Sequence, residues 1–295
     1  MSEFDHLAAE VVPVLELSKT ERKTFCREDR WIGYTRATEI LGELDDLVNY
    51  PRGLRMPNVL VVGRSGNGKS SIIEHFSNSH GVRVTESGGP ILPVLRIEMP
   101  DTPDQAQFWS VILWALLITH RETAPAKLLK REAKSALQYA HVGVLLIDEF
   151  NNLVNAGRKA GDVLAAIKEL SNALKISIVA FGTQAAINAL NLEPQMKSRF
   201  QPSSLQRWRL DAEYLRFLAS YERLLPLAKP SGLATRDLAP RIYGLGGDTI
   251  GGTVNVVKAA ATLAIELGTE CITTSILDKV AWTSPGDWEK VAAVV

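Results

Sequence analysis

The chain has 295 residues, enough for one large domain or two coupled ones, and its 46% hydrophobic and 22% charged residues exclude wholesale disorder. Its 33 basic and 33 acidic residues cancel, which argues against a protein that is basic overall but allows a local basic face. Two isolated cysteines argue against a zinc site or a disulfide framework. The N-terminus lacks the features of a signal peptide, and the longest apolar stretch, residues 108–118, is too short to span a membrane, so we expect a cytoplasmic protein.

Residues 1–50 are predicted to form a charged, helical N-terminal segment. Ile40, Leu44 and Leu47 follow one another at helical spacing, and residues 51–53, which contain proline and glycine, interrupt the pattern. We therefore expect the first large folding unit to begin near residue 51.

Strands and helices are predicted to alternate from there to about residue 210. Short apolar runs indicate buried strands, with a weaker fifth, at residues 58–62, 91–97, 142–147, 176–181 and 205–210. Thr102 as N-cap and Pro103 at the first position predict a helix before residues 108–118, and Asp162 is predicted to open another. The alternation indicates an α/β domain with a parallel sheet flanked by helices.

Only helical patterns follow residue 211. They are separated by prolines and by the glycine-rich loop 244–248, and the alanine-rich stretch 254–267 is the clearest of these helices. The chain is thus expected to comprise an N-terminal helical segment (1–50), an α/β core (51–210) and a small helical lid domain (211–295).

The strongest chemical motif is a complete GxxxxGK[ST] pattern between the first strand and a helix. Its glycines let successive backbone N–H groups face phosphate oxygens, its lysine can reach the β- and γ-phosphates, and its serine hydroxyl suits Mg²⁺. A chance glycine-rich turn is the alternative, but the flanking strand and helix disfavour it. The predicted nucleotide-binding residues of the motif, with the serine that follows it, are Gly63, Arg64, Ser65, Gly66, Asn67, Gly68, Lys69, Ser70 and Ser71.

Two carboxylates end the predicted strand at 142–147. Asp148 would hold Mg²⁺ together with Ser70, and Glu149 would polarise the attacking water. A merely solvated strand end is the alternative, which the P-loop disfavours because ligands bind at this edge of open α/β sheets.

Two further residues are open to either a chemical or a structural interpretation. Thr183 ends the strand beside Asp148, where it could bond the γ-phosphate or cap a turn. Arg199 lies between a predicted helix and the last strand, where it could reach the nucleotide of a neighbouring subunit or lie on the surface.

The best nucleic-acid candidate is a run of basic residues between 121 and 134, five against two acidic ones, so 5 − 2 = +3. Its helical spacing of three and four produces one charged face, suited to sequence-independent contact with DNA phosphates. A solvated helix face is the alternative. We call these residues the basic stripe: Arg121, Lys127, Lys130, Arg131 and Lys134.

Together these patterns resemble the TniB family of AAA+ ATP-binding transposition proteins, related to TnsC and, more distantly, to MuB. The resemblance extends over roughly residues 25–280. It rests on the P-loop and on residues 31–34 (Trp-Ile-Gly-Tyr), 55–58 (Arg-Met-Pro-Asn), 147–152, 182–183, 198–200, 224–231 and 259–272.

The resemblance implies an AAA+ fold and an ATPase that binds ATP with Mg²⁺ between subunits. It implies assembly as rings or filaments on double-stranded DNA, and recruitment of a DDE transposase and, in many systems, a TniQ-like targeting protein. By position, it assigns Thr183 as the sensor, Arg199 as the arginine finger in trans, and Ile32 and Tyr34 as neighbours of the adenine.

The sequence departs from the family at three places. Residues 251–255 offer no lid arginine, Asn151 stands where a histidine is frequent, and the loop 100–104, which contacts DNA in related proteins, is acidic. The first two departures would slow hydrolysis, and the third shifts DNA contact to the basic stripe.

Two other functions remain open from the residues. One is an ATP-dependent loader or remodeller that acts as a closed ring on another protein. The other is a nucleotide-switched scaffold without useful catalysis.

Overall fold

The computed structural model of the chain describes residues 4–86 and 88–282, which form seven strands and twelve α-helices. The strands are β1 (Asn58–Val62), β2 (Arg83–Val84), β3 (Pro90–Ile91), β4 (Val94–Glu98), β5 (Val144–Asp148), β6 (Ser177–Gly182) and β7 (Phe200–Ser204). The helices are α1 (Lys19–Arg27), α2 (Thr35–Val48), α3 (Lys69–Ser79), α4 (Gln105–Ala115), α5 (Ala126–Tyr139), α6 (Ala160–Leu174), α7 (Gln184–Asn191), α8 (Pro194–Lys197), α9 (Ala212–Glu222), α10 (Ala239–Gly246), α11 (Ile250–Leu267) and α12 (Thr274–Lys279). Two 3₁₀ segments span Val12–Glu16 and Phe150–Lys159.

The chain divides into two compact units. The sheet unit, Arg36–Gln206, contains every described strand, and the helical unit combines the residues up to Thr35 with those from Arg207 onward. The expected division at residues 50 and 210 stays a prediction about domains, because a compact unit is defined by contacts and a domain by independent folding.

Five strands of the sheet unit form one parallel sheet in the order β4-β5-β6-β1-β7. Every residue of β5 and β6 is buried, which explains why their sequences are continuous apolar runs rather than alternating ones. Helices α4, α5 and α6 contribute apolar side chains to the core around these strands. The predicted parallel sheet flanked by helices is confirmed.

The strand order determines where chemistry can occur. β6 lies between β1 and β5, with Val62 paired with Gly182 and Ile147 paired with Ala180. The carboxyl ends of β1, β6 and β5 therefore lie side by side at one edge of the sheet. This is the edge at which open α/β sheets bind their ligands.

The fifth strand predicted at 205–210 is wrong, because the observed strand is β7, Phe200–Ser204. Its sequence, Phe-Gln-Pro-Ser-Ser, has little intrinsic strand preference, and Pro202 lacks an N–H. Among the described strands β7 pairs with β1 alone, and it lies at the edge of the sheet, where proline is tolerated. Pairing with β1 therefore supplies the strand geometry that the local sequence does not favour.

Other element boundaries also differ from the expected ones, and α6, which Asp162 is predicted to open, begins at Ala160. The N-cap of α4 is Asp104, whose Oδ1 accepts a hydrogen bond from the Gln107 N–H at 3.0 Å, and not Thr102. The strand predicted at 91–97 is divided, since β3 ends at Ile91 and β4 starts after Pro93. β3 instead pairs antiparallel with β2 in a separate hairpin.

The helical unit has its own apolar core, built on α9, α10 and α11. A Cβ on Gly252 would lie 1.9 Å from the Gly246 carbonyl oxygen, so this close meeting of α10 and α11 requires glycine. Among the described helices, α11 alone is long and apolar enough to cross a membrane. Its buried residues, such as Val257 and Ala261, pack in this core.

Candidate functional site

The loop between β1 and α3 has a backbone suited to surrounding an anion. Gly66 and Gly68 adopt positive φ angles of 71° and 84°, a conformation that glycine tolerates and other residues rarely adopt. Gly68 directly precedes α3 and, having no side chain, provides no cap for the first N–H groups of this helix. A phosphate fits this arrangement because it can accept from such groups.

Lys69 lies within the same loop and is only 7% exposed. Its Nζ donates hydrogen bonds to the carbonyl oxygens of Gly63 at 3.0 Å and Arg64 at 2.9 Å. Burial lowers the pKa of its ammonium group, and the negative charges of Glu149 and Asp148 partly offset this effect. An anion bound in the loop would further stabilise the charged lysine.

Asn67 fixes the loop to the chain segment that follows β7. Its Nδ2 donates to the carbonyl oxygens of Leu205 at 3.1 Å and Gln206 at 2.8 Å. A Cβ on Gly63 would lie 3.0 Å from the Leu205 Cβ, so the same segment also packs closely against the start of the loop. The motif places no demand on Asn67, and no signal in the sequence indicates this anchoring role.

Ser70 and Asp148 meet across the edge of the sheet. The Ser70 Oγ donates to Asp148 Oδ2 at 3.1 Å, and Arg96 Nη2 lies 3.7 Å from the same oxygen. A hydroxyl and a carboxylate are hard oxygen ligands of the kind that Mg²⁺ prefers beside substrate phosphates. Within residues 4–86 and 88–282 no group of three His, Cys, Asp or Glu could hold a metal by itself, so these two residues fit Mg²⁺ only together with such phosphates.

Glu149 directly follows β5 and adopts a positive φ of 49°. Its backbone N–H donates to Asp148 Oδ1 at 2.9 Å, and its Oε2 accepts from Asn151 Nδ2 at 2.9 Å. Glu149 is half-buried. The two hydrogen bonds hold it at a defined position next to Asp148, one of the two candidate Mg²⁺ ligands.

Thr183 follows β6 and caps α7, since its Oγ1 accepts from the Ala185 N–H at 3.4 Å. Its own N–H donates to Asn151 Oδ1 at 3.2 Å. This hydroxyl therefore caps a helix, which is the structural alternative to the sensor role. The hydroxyl proton stays available to a phosphate, so the sensor role stays a prediction.

Arg199 lies between α8 and β7 and is half-buried. Its Nη1 donates to Asn172 Oδ1 of α6 at 2.6 Å. In the described part of the chain, no hydrogen bond or ion pair links Arg199 to the P-loop. The guanidinium is held within its own protomer, and its action in trans stays a prediction.

Ile32 and Tyr34 belong to the helical unit, where both pack against the apolar core. The Tyr34 ring lies 5.0 Å from the Trp208 ring in an edge-on arrangement. Both residues therefore contribute to the helical core, and their predicted proximity to the adenine stays a prediction.

The basic stripe is only partly free of counter-charge. α5 carries it from Lys127 onward, as the helical spacing predicted, but Glu169 of α6 is ion-paired with both Lys130 and Lys134, the latter at 3.3 Å. The hydrogen bond from Lys130 holds the pKa of the Glu169 carboxyl below its ordinary value. Counting Glu169, the local charge falls to 5 − 3 = +2. The sequence did not indicate this carboxylate, which lies 35 residues from Lys134.

Comparison with protein families gives a match to the family described as "Bacterial TniB protein" over residues 22–210, well over half of the chain. The match includes the P-loop, the Asp148–Glu149 pair and Arg199. The similarity noted at residues 224–272 lies beyond it. Comparison with proteins of curated function gives no match.

Several solved structures share the fold. The ORC2 protein of Aeropyrum pernix in ADPNP–ADP complexes has a TM-score of 0.61 at 16% identity, covering 87% of this chain and 70% of that one. The Aeropyrum pernix ORC1 protein in complex with DNA has a TM-score of 0.58 at 15% identity, covering 88% and 68%. The RuvB Holliday junction branch migration motor of Thermotoga maritima has 0.53 at 14%, covering 87% and 72%. At these identities the likeness concerns the fold alone, and it confirms the predicted AAA+ P-loop architecture.

Proposed function

We propose, from the premise that this chain belongs to the TniB family, that it is an ATP-dependent, DNA-binding regulator of transposition. The observation that carries the proposal is the hydrogen bond between Ser70 and Asp148 beside the buried Lys69. Burial lowers the pKa of the Lys69 ammonium group, and the charges of Glu149 and Asp148 partly offset this effect. A buried lysine, a hydroxyl and two carboxylates at the carboxyl edge of a parallel sheet are the set that phosphoryl transfer from a nucleotide requires.

In this proposal the P-loop would bind the phosphates of ATP, and Ser70 and Asp148 would hold Mg²⁺. The metal ion supplies charge neutralisation on the phosphates when bound. Glu149 accepts a proton from the attacking water, and the Thr183 hydroxyl donates to the γ-phosphate. Hydrolysis is slow, because one lid arginine is missing from residues 251–255 and regulation needs a long-lived ATP state.

Arg199 completes the site of a neighbouring subunit. Exchange of its hydrogen bond to Asn172 for a bond to the neighbour's γ-phosphate would couple hydrolysis to assembly. The oligomer forms on double-stranded DNA as a ring or filament. Each subunit contributes weak phosphate contacts from its basic stripe, and assembly makes them cumulative through high effective concentration.

The assembly would mark target DNA for a DDE transposase and meet a TniQ-like targeting protein. Family membership and the AAA+ fold support this role, and ATP turnover would take the polymer apart. The protein would act in the cytoplasm, where target DNA is accessible.

Electron microscopy of the purified protein with linear duplex DNA tests the proposal. Filaments or stacked rings are expected on DNA with a slowly hydrolysed ATP analogue, and none without nucleotide or with ADP. Arg199→Ala should reduce these assemblies, whereas Arg236→Ala, which removes an exposed arginine of the helical unit, should not. Closed rings that form without DNA and ignore it would indicate the remodeller, and no assembly in any nucleotide state would refute the proposal.

A further inference from the structure

Asn151 contacts two separate parts of the proposed hydrolytic site. It lies in the 3₁₀ segment that follows β5, three residues beyond Asp148. Its Nδ2 donates to Glu149 Oε2 at 2.9 Å, and its Oδ1 accepts from the Thr183 N–H at 3.2 Å. One amide therefore joins the end of β5 to the end of β6.

The chemistry of the two partners determines the orientation of this amide. The Thr183 N–H can only donate, so it must face the Asn151 oxygen, and the ionised Glu149 carboxylate can only accept, so it must face the nitrogen. A rotated amide would place its oxygen against the carboxylate and its NH₂ against the N–H, and both contacts would be repulsive.

The backbone at the end of β6 is adapted to this contact. A Cβ on Gly182 would lie 3.2 Å from Asn151 Oδ1 and 3.3 Å from the Asn151 backbone nitrogen, closer than most Cβ contacts. It would also lie 2.7 Å from the Cβ of Ala186. Glycine at 182 therefore allows Asn151 to approach the strand end.

Glu149 adopts a φ of 49°, in the left-handed region that residues other than glycine rarely adopt. The contact to Asp148 Oδ1 holds its backbone N–H, whereas its carboxylate is held by Asn151. Loss of that amide would leave the carboxylate, half-buried beside Lys69, without the hydrogen bond that aims it.

We propose that Asn151 is a positioning residue, which holds the Glu149 carboxylate in the orientation needed for hydrolysis and couples it to the Thr183 backbone. The inference rests on the proposed function, in which Glu149 is the base for hydrolysis. Asn151 would act on hydrolysis by orienting the Glu149 carboxylate, and its bond from the Thr183 N–H would hold the amide in place.

The first test is steady-state ATPase kinetics of the full chain with Mg²⁺ and duplex DNA. Asn151→Ala and Asn151→Asp should both lower kcat at least tenfold and change KM less than twofold, because both remove the donor to Glu149. The control is Asn155→Ala, which removes an amide of the same 3₁₀ segment that bonds the Asp101 carbonyl oxygen. It should leave both constants within twofold of the unaltered protein.

A double-mutant cycle with Glu149→Gln separates positioning from a general structural effect. In single-turnover measurements, Asn151→Ala should lower the residual hydrolysis of the Glu149→Gln variant less than twofold, because the group that it positions is already gone. Equal losses in both backgrounds would overturn the inference.

Hydrogen exchange of the nucleotide-free protein gives a readout independent of turnover. The Thr183 amide should exchange at least tenfold faster in Asn151→Ala, and near the unaltered rate in Asn151→Asp, which retains the acceptor. Unchanged exchange in Asn151→Ala would overturn the coupling to β6.

The outcomes distinguish the two levels of the argument. No hydrolysis by the unaltered chain, or undiminished hydrolysis by Glu149→Gln, would refute the proposed function itself. Strong dependence on Glu149 with unchanged kcat in Asn151→Ala would leave that function intact and overturn the role of Asn151.

Discussion

The carboxyl edge of the sheet and the basic face of α5 both carry charges that the proposed function uses, but the surroundings of these charges differ. At the sheet edge, Lys69 and Asp148 are 7% and 4% exposed, and each has partners at hydrogen-bond distance. On α5, Lys127 and Arg131 are exposed and have no ion pair among the described residues. The sheet edge is a network of buried and half-buried groups joined by hydrogen bonds. The basic face of α5 is exposed to solvent.

This difference predicts different responses to mutation. In a buried network, removal of one group leaves another charge or donor without its partner, which is costly in a low dielectric. Exposed charges act through water and salt, so each contributes little and many are needed. We therefore expect the loss of a single residue at the sheet edge to abolish ATP hydrolysis. The loss of each basic residue on α5 should lower DNA affinity only by a small amount.

The largest effect is expected from Lys69→Ala. A hydrogen bond to a charged group contributes about 1.5–3 kcal/mol, so ATP affinity should fall by roughly 10- to 150-fold, and hydrolysis should be lost. Calorimetric titration with ATP measures this, with Lys168→Ala on α6 as control. A nearly unchanged ATP affinity would mean that the buried Lys69 contributes no more than an exposed lysine, and would contradict the contrast between the sheet edge and α5.

A smaller effect is expected from Arg131→Glu. Reversing one exposed charge should weaken duplex binding about tenfold. The fall of log affinity with log salt should become less steep by about one or two, and ATP affinity should not change. Fluorescence anisotropy over a salt series measures both quantities. Arg236→Glu makes the same charge change in the helical unit and should have little effect. Equal losses from the two variants would remove the basic stripe from the DNA interface.

The smallest effect is a gain. Glu169→Gln removes the carboxylate that pairs with Lys130 and Lys134, so both ammonium groups become available to phosphates. Duplex affinity should rise about two- to threefold at physiological salt, and more at low salt, because exposed pairs are weak and screened. Glu16→Gln removes an exposed carboxylate of the helical unit and controls for net charge. No gain in the same anisotropy assay would show that these lysines do not contact DNA.

The central strands could be predicted because burial on both faces forces apolar runs, as in β5 and β6. β7 could not, because its geometry comes from pairing with β1 and its sequence contains Pro202. The N-cap predicted for α4 is also wrong, since Thr102 and Asp104 are both good caps and only the folded chain selects one.

The residues of the candidate site also fall into two groups, those that the sequence predicts and those that only the structure reveals. The P-loop and the Asp148–Glu149 pair were evident because their spacing is local and their chemistry restricts residue type. The partners that complete them are remote in sequence: Asn67 bonds Leu205, Arg199 bonds Asn172, and Lys134 bonds Glu169. The sequence singles out Asn151 only because a histidine is frequent at this position in the family. Its contact with Thr183 could not be predicted, because it depends on β5 and β6 being neighbours in the sheet.

The sequence alone therefore predicted the fold class and the P-loop motif, because burial periodicity and local spacing encode these. Its resemblance to the TniB family indicated the family, which the match over residues 22–210 confirms. The tertiary structure decided which groups neutralise, aim or restrain them. Glu169 reduces the charge of the basic stripe, Asn172 holds Arg199, and Asn151 orients Glu149. Such contacts depend on β6 lying between β1 and β5 and on α5 packing beside α6, and no spacing along the chain encodes those distances.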